Sequence, residues 1–251
     1  MGQEFAGKVA LVTGAGKNIG RAIALDLASQ GAIVVVNGRQ DAEIVAGVVA
    51  EIEAAGGTAL AQVADVTDPA AVAAMVATVE DRFGRLDVLI SNAGLRRQTP
   101  FLEMELAEWR EIMSVALDGA FILARAAIPL MVKGGEGGAF IAMSGISNKV
   151  GTANRCHVNA SKAGLEGLVR GIAIELAEHR ITCNCIAPGA VDTVRGATAG
   201  AMPSNLSDAG IPLGRKASVD EIAATVRYLA GPGGRYTTGQ TIQVNGGVYL
   251  T

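Results

Sequence analysis

Short apolar runs alternate with longer helical patterns along this chain, and no other feature constrains its fold as tightly. The runs lie at 9–12, 33–36, 58–63, 86–91, 139–144, 181–187 and 241–244 and read as strands. Several are apolar throughout, as expected of strands covered on both faces. Between them, Ala-rich segments with helical spacing fill 19–30, 42–55, 69–83, 106–132, 159–179 and 219–230. This repetition predicts an α/β fold: one doubly wound parallel sheet of about seven strands with right-handed crossovers and helices on both faces. Thr67-Asp68-Pro69 and Ser218-x-x-Glu221 mark helix starts, and the second fits a capping box.

No linker or repeat divides the 251 residues, and half of them are hydrophobic. That suffices for one sizeable core, so 1–251 is expected to be a single domain. The segment 194–211 breaks the pattern, being rich in Gly, Ala and Ser after a strand's carboxyl end. It is expected to form a lid over a ligand cleft. The net charge of −3 comes without a basic stripe, which argues against nucleic acid as a partner. No run of about 18 apolar residues or signal-type segment is evident, so no membrane contact and a cytoplasmic location are expected. Cys156, Cys183 and Cys185 are an odd set without metal-type spacing, read as free thiols with no metal site.

The first strand leads into Thr13-Gly14-Ala15-Gly16-Lys17-Asn18-Ile19-Gly20, which opens the first helix. Glycines let backbone approach a pyrophosphate, and the helix N-terminus offers free N–H groups and a positive dipole end. At the end of the second strand stands Val36-Asn37-Gly38-Arg39, with no carboxylate before Asp41. A carboxylate there would repel a 2′-phosphate; Arg39, with Lys17 nearby, would attract one. The cofactor is therefore expected to be NADP(H).

Further motifs follow in order: Asp65-Val66, Asn92-Ala93-Gly94, Pro188-Gly189 with Val191 and Thr193, and Gly239 to Gly247. Together with the glycine-rich turn they resemble the classical short-chain dehydrogenase/reductase family over almost the whole chain. The resemblance implies a Rossmann-like fold and nicotinamide-dependent hydride transfer. It also implies that Asp65 and Val66 meet the adenine and that the Pro188–Thr193 segment meets the nicotinamide amide. Asn18 stands where the family's turn usually has a middle glycine.

The family's active site combines Asn, Ser, Tyr and Lys. Lys162 matches the Lys, but Val158 stands at the Tyr position, Gly145 at the Ser position and Ala116 at the Asn position. Valine can neither donate nor accept a proton. Ser144 is one residue from the Ser position, and strand alternation sends neighbours to opposite faces. His157 is a replacement acid by residue type, although on a helix it points about 100° away from position 158. Arg155 and Asn159 share the face of Lys162.

A ketone needs an acid, since hydride addition creates an alkoxide, whereas an iminium arrives already cationic. The expected function is thus NADPH-dependent reduction of a C=N bond, in a cyclic imine. The alternatives are a carbonyl reductase or alcohol dehydrogenase with a relocated donor such as His157, and a cofactor-binding pseudoenzyme. A small-molecule substrate is implied in each enzymatic case. Arg96-Arg97 reads as a solvated loop pair, with contact to an anionic substrate as the other reading. The resemblance implies a homotetramer or homodimer, and the long helices 106–132 and 159–179 are apolar around much of their circumference, as a second buried side requires.

Overall fold

A computed structural model describes residues 3–194 and 210–251. It contains β1 (Val9–Val12), α1 (Asn18–Ser29), β2 (Ile33–Gly38), α2 (Ala42–Ala54), β3 (Thr58–Val63), α3 (Pro69–Phe83) and β4 (Val88–Ser91). There follow α4 (Leu106–Met113), α5 (Gly119–Gly134), β5 (Gly138–Met143), α6 (Ser147–Val150), α7 (Cys156–Glu175), β6 (Ile181–Pro188), α8 (Val219–Ala230) and β7 (Thr241–Val244). The strands form one seven-stranded sheet in the order β3-β2-β1-β4-β5-β6-β7, every pair parallel. This is the Rossmann-like arrangement expected.

Two hydrophobic clusters cover the sheet. One packs Ile23 and Leu27 of α1, Val48 of α2 and Val226 of α8 against Val12, Val34 and Ile141. The other packs Met75 of α3, Leu123 of α5 and Leu165 of α7 against Leu11, Leu89 and Phe140. Central β1 and β4 are buried at every position, while β3 and β7, at the edges, are only partly so. Cys183 and Cys185 belong to the second cluster, and burial pushes both thiols up to about 12.

Helix starts follow local chemistry. Asp41 caps α2, Asp68 caps α3 ahead of Pro69, and Ser218 with Glu221 completes the expected capping box on α8. Each such cap is worth about 1 kcal/mol. The expected helix 106–132 is interrupted: α4 and α5 are joined by a π-helical turn over Ser114–Asp118. Its extra residue lets Gly119 sit against Val66, where a Cβ would come within 2.9 Å of the valine's Cγ2. The stretch Leu106–Gly134 is long and apolar enough to cross a bilayer, with a mean hydropathy of 1.8 over 18 residues. Half of that window is buried here, with α5 packed on α3 and α4 on α7. Core helices meet the same criterion.

The chain leaves β1 toward β2 and β3 on one side and, from β4, toward β7 on the other. The switch between β1 and β4 opens a crevice at their carboxyl ends. Of the expected lid, 195–209 lies outside the described residues.

Candidate active site

The crevice begins at the β1–α1 turn. Gly14 has φ +60°, and a Cβ on Gly20 would meet the Gly14 carbonyl oxygen and lie 2.5 Å from Asn92 Nδ2. Only glycine permits that approach. Asn18 adopts φ 50°, the left-handed region that asparagine tolerates. Its side chain exchanges two hydrogen bonds with Val194: Nδ2 donates to the Val194 carbonyl and Oδ1 accepts from the Val194 N–H, both at 3.0 Å. The helix α1 starts at Lys17 with no side-chain cap. Its first N–H groups are therefore left without a side-chain cap, as a helix N-terminus that accepts a pyrophosphate requires. Arg39 and Lys17 are exposed beside it, and Gly16 packs over Ile44.

At the end of β4, Asn92 is tied to this turn. Its N–H donates to Thr13 Oγ1 at 3.0 Å, and its Nδ2 to the carbonyls of Thr13 and Gly14 at 2.9 and 3.1 Å. The Ala93 N–H shares the same hydroxyl at 3.2 Å. Asp65 stabilises its own turn, accepting from the Thr67 N–H and hydroxyl at 2.9 and 2.8 Å, and Val66 is buried. Thr193 is half-buried and donates to the Val191 carbonyl at 3.4 Å. These residues fit a dinucleotide laid across the crevice.

Beyond the turn lies a cavity of about 150 Å³. Ile19, Asn92, Gly94, Pro188, Gly189 and Val191 line its cofactor side. Val158, Lys162 and Gly145 line the other. A Cβ added at Gly145 would meet nothing within 4 Å. Lys162 Nζ donates to the Met143 carbonyl at 2.6 Å and stands 3.7 Å from where a Cβ on Gly94 would be. Part of the side chain remains open to the cavity. Burial of Nζ, and secondarily the charge of Arg96, push the ammonium down to about 8.

Ala116 is buried within the π-helical turn and does not line the cavity. His157 is fully buried and also outside it, with Nε2 3.0 Å from Glu108 Oε1. A carboxylate only accepts, so Nε2 carries the proton. The Thr99 hydroxyl, at 2.7 Å, and then the His157 ring hold Glu108 below the usual carboxylate range. The relocated-acid reading of His157 is thereby corrected: its ring joins α7 to α4 and the loop before it. Ser144 does border the cavity, but its hydroxyl donates to Glu166 Oε1 at 2.7 Å. Glu166, almost wholly buried, also accepts from Asn148 at 2.8 Å and Lys149 at 2.6 Å. Burial alone would raise its pKa; these donors outweigh that and hold it low. Glu166 went unremarked in the sequence, since its partners lie 17 to 22 residues away.

A family model described as enoyl-(acyl carrier protein) reductase matches residues 14–249. A 3-oxoacyl-[acyl-carrier-protein] reductase of Synechocystis is 39% identical over 248 residues, 97% of each chain. One from Staphylococcus aureus is 40% identical over 250 residues, 97% of this chain and 98% of that one. Among solved structures, a short-chain dehydrogenase from Burkholderia cenocepacia in complex with NADP superposes with a TM-score of 0.89 at 34% identity, covering 98% of this chain and 99% of that one. The chain belongs to the short-chain dehydrogenase/reductase family.

These relatives overturn the expectation of C=N reduction, because they are named for reducing a 3-oxo group, a carbonyl. The inference to an imine rested on a missing tyrosine. A missing acid does not select a substrate when another proton donor borders the same cavity. Nor do relatives named as enzymes favour the pseudoenzyme alternative.

Proposed function

We propose that this chain is an NADPH-dependent carbonyl reductase in which Lys162 itself supplies the proton. One observation carries this reading: Lys162 Nζ borders the cavity with its acidity brought to about 8. A general acid works best when its pKa lies near the working pH, and lysine's ordinary value of about 10.4 is too high for that. The chain is an oxidoreductase and its cofactor is NADP(H); in this reading Arg39 and Lys17, both exposed, meet the 2′-phosphate. Bound in the crevice, the cofactor supplies a hydride to the carbonyl carbon.

As the new C–H bond forms, the π pair of the C=O bond moves to oxygen. That oxygen takes a proton from Lys162, which is left as a neutral amine and is reprotonated from solvent. The Met143 carbonyl fixes Nζ by one hydrogen bond, and an ammonium has two more N–H donors for the oxygen or an intervening water. Val158 and Gly145 supply no proton; they leave room for the carbonyl to approach the lysine. Residues 1–251 act as one domain in this reading. Assembly as a homodimer or homotetramer suits the apolar groove between α5 and α7, lined by Phe121, Pro129, Val132, Leu168 and Leu176. A cytoplasmic setting suits the three free thiols.

The test is product analysis. Protein, NADPH and a neutral 3-oxo ester should yield the 3-hydroxy ester with equimolar NADP⁺. NADPH binding without any alcohol formed from a panel of ketones and oxo acids would overturn the reading.

A further inference from the structure

Strand β5 outlasts its neighbour β4. The two pair as far as Ser91, opposite Ala142. Past that point the chain turns toward β1: the N–H groups of Asn92 and Ala93 both donate to Thr13 Oγ1, at 3.0 and 3.2 Å. On its other side β5 continues its ladder with β6. Ser144 N–H donates to the Ile186 carbonyl at 2.7 Å, and Ile146 N–H to the Pro188 carbonyl at 3.0 Å. Successive peptide groups of an extended chain point to opposite neighbours. Gly145 N–H therefore points away from β6, toward the side that β4 has left. Ala139 N–H points the same way and still finds the Asp87 carbonyl there, at 2.9 Å. Among the described residues, no group accepts a hydrogen bond from Gly145 N–H.

Lys162 meets the neighbouring group on this vacated edge. Met143 presents its carbonyl there, and Lys162 Nζ takes it at 2.6 Å. Gly145 and Lys162 line one cavity, with Asn92 and Gly94 on the β4 side. Gly145 is half-buried, and it has no side chain to cover its N–H. Backbone N–H groups in folded proteins rarely stay unpaired unless water or a ligand meets them. We propose that Gly145 N–H is a catalytic donor: with Lys162 it forms a two-point seat for the carbonyl oxygen of the substrate, the backbone taking the place of the serine hydroxyl absent at that position. This rests on the carbonyl reductase reading and adds a second group to its site.

As hydride reaches the carbonyl carbon, the oxygen gains negative charge, and a fixed N–H dipole stabilises that charge without having to reorient. The ladder bonds of Ser144 and Ile146 to β6 hold the intervening peptide in place. Gly145 keeps its own proton throughout; the proton that ends on oxygen comes from Lys162. A neutral ketone oxygen accepts the same hydrogen bond more weakly, so the stabilisation falls on kcat more than on KM. The nicotinamide amide is not the natural partner. The segment expected to meet it, Pro188 to Thr193, follows β6, and Gly145 N–H points the other way.

The experiment removes this one N–H. An ester in place of the Ser144–Gly145 amide, with glycolate replacing Gly145, deletes the donor and leaves every side chain. Gly145→Pro deletes it by an encoded route, at greater risk to the fold. With methyl acetoacetate as substrate, kcat should fall by about 10² in the ester protein. KM and the dissociation constant of NADPH should stay within about twofold. The second readout needs no turnover. With NADP⁺ bound no hydride can transfer, and the infrared stretch of the ketone, labelled with carbon-13, reports the donors on its oxygen. Binding to the unaltered protein should lower that frequency, and the ester protein should lose part of the shift. An unchanged kcat, or the same frequency in both proteins, would overturn the proposal while leaving carbonyl reduction intact. If the unaltered protein reduces no ketone, the reductase reading fails on its own and the frequency still decides. A shift that the ester protein lacks supports the oxygen seat; no shift, or the same shift in both, overturns it.

Discussion

Lys162 Nζ lies 2.6 Å from the carbonyl oxygen of Met143, the last residue of β5. That bond joins α7 to the carboxyl end of the sheet and fixes the ammonium at the cavity. Burial makes the ammonium's charge costly and so brings its pKa down to about 8.

Restoring a phenol and a hydroxyl should raise the rate. The space beside Gly145 admits a serine side chain, and Val158 already borders the cavity. A positioned general acid is typically worth about 10²–10⁴. Because Lys162 already supplies part of that, Val158→Tyr combined with Gly145→Ser should raise kcat for a neutral ketone by roughly tenfold or more. Steady-state kinetics on the double variant checks this; an unchanged or lower kcat in a folded variant contradicts it.

Cofactor choice should depend on Arg39. In Arg39→Ala, KM for NADPH should rise by about tenfold, as loss of one charge-assisted contact on an exposed side chain would give. KM for NADH should stay within about twofold, because NADH lacks the phosphate that Arg39 would meet. Equal rises for both cofactors would mean that Arg39 acts on the fold rather than on the phosphate.

Asn18 combines a left-handed backbone with two hydrogen bonds to Val194. Asn18→Ala should cost about 1–2 kcal/mol, since alanine tolerates that conformation poorly. Thermal unfolding should then begin roughly 2–8 °C lower for a chain of this size. Asn18→Gly should cost less, because glycine removes the strain and only the hydrogen bonds are lost.

Glu166 should matter for stability and its pH dependence. Glu166→Gln leaves the Lys149 ammonium without its carboxylate and should cost about 1–3 kcal/mol. The folded pKa is held low, so the carboxylate's contribution is present above the ordinary glutamate value of about 4.3 and is lost as pH falls through the folded value. Denaturant titrations should show the gap between the two proteins closing in acid. A gap independent of pH would contradict this.

Much of the architecture can be read along the chain because period-2 and period-3.6 patterns are local. The glycine-rich turn, the Asp68 and Ser218 caps and the succession of strands and helices along the chain depend on residues adjacent in sequence. The site depends more on distance. His157 resembles a free acid until Glu108, 49 residues away, takes its Nε2. Ser144 looks available until Glu166 accepts its hydroxyl. Arg97 reads as a solvated loop residue until Glu111, 14 residues away on α4, pairs with it. The π-helical turn holding Ala116 leaves no periodic mark, because one inserted residue shifts an apolar helix without changing its composition.

The central claim is that the Lys162 ammonium donates the proton, and the pH dependence of kcat for ketone reduction tests it most directly. Reduction needs the protonated lysine, so the rate should be highest below about 8 and fall as pH rises through it, while alcohol oxidation should rise over the same range. In Lys162→Met, NADPH binding measured separately should persist, kcat should fall by about 10² or more, and the limb should vanish. A Lys162→Met protein that reduces the ketone at an undiminished rate with the same pH profile would contradict the account.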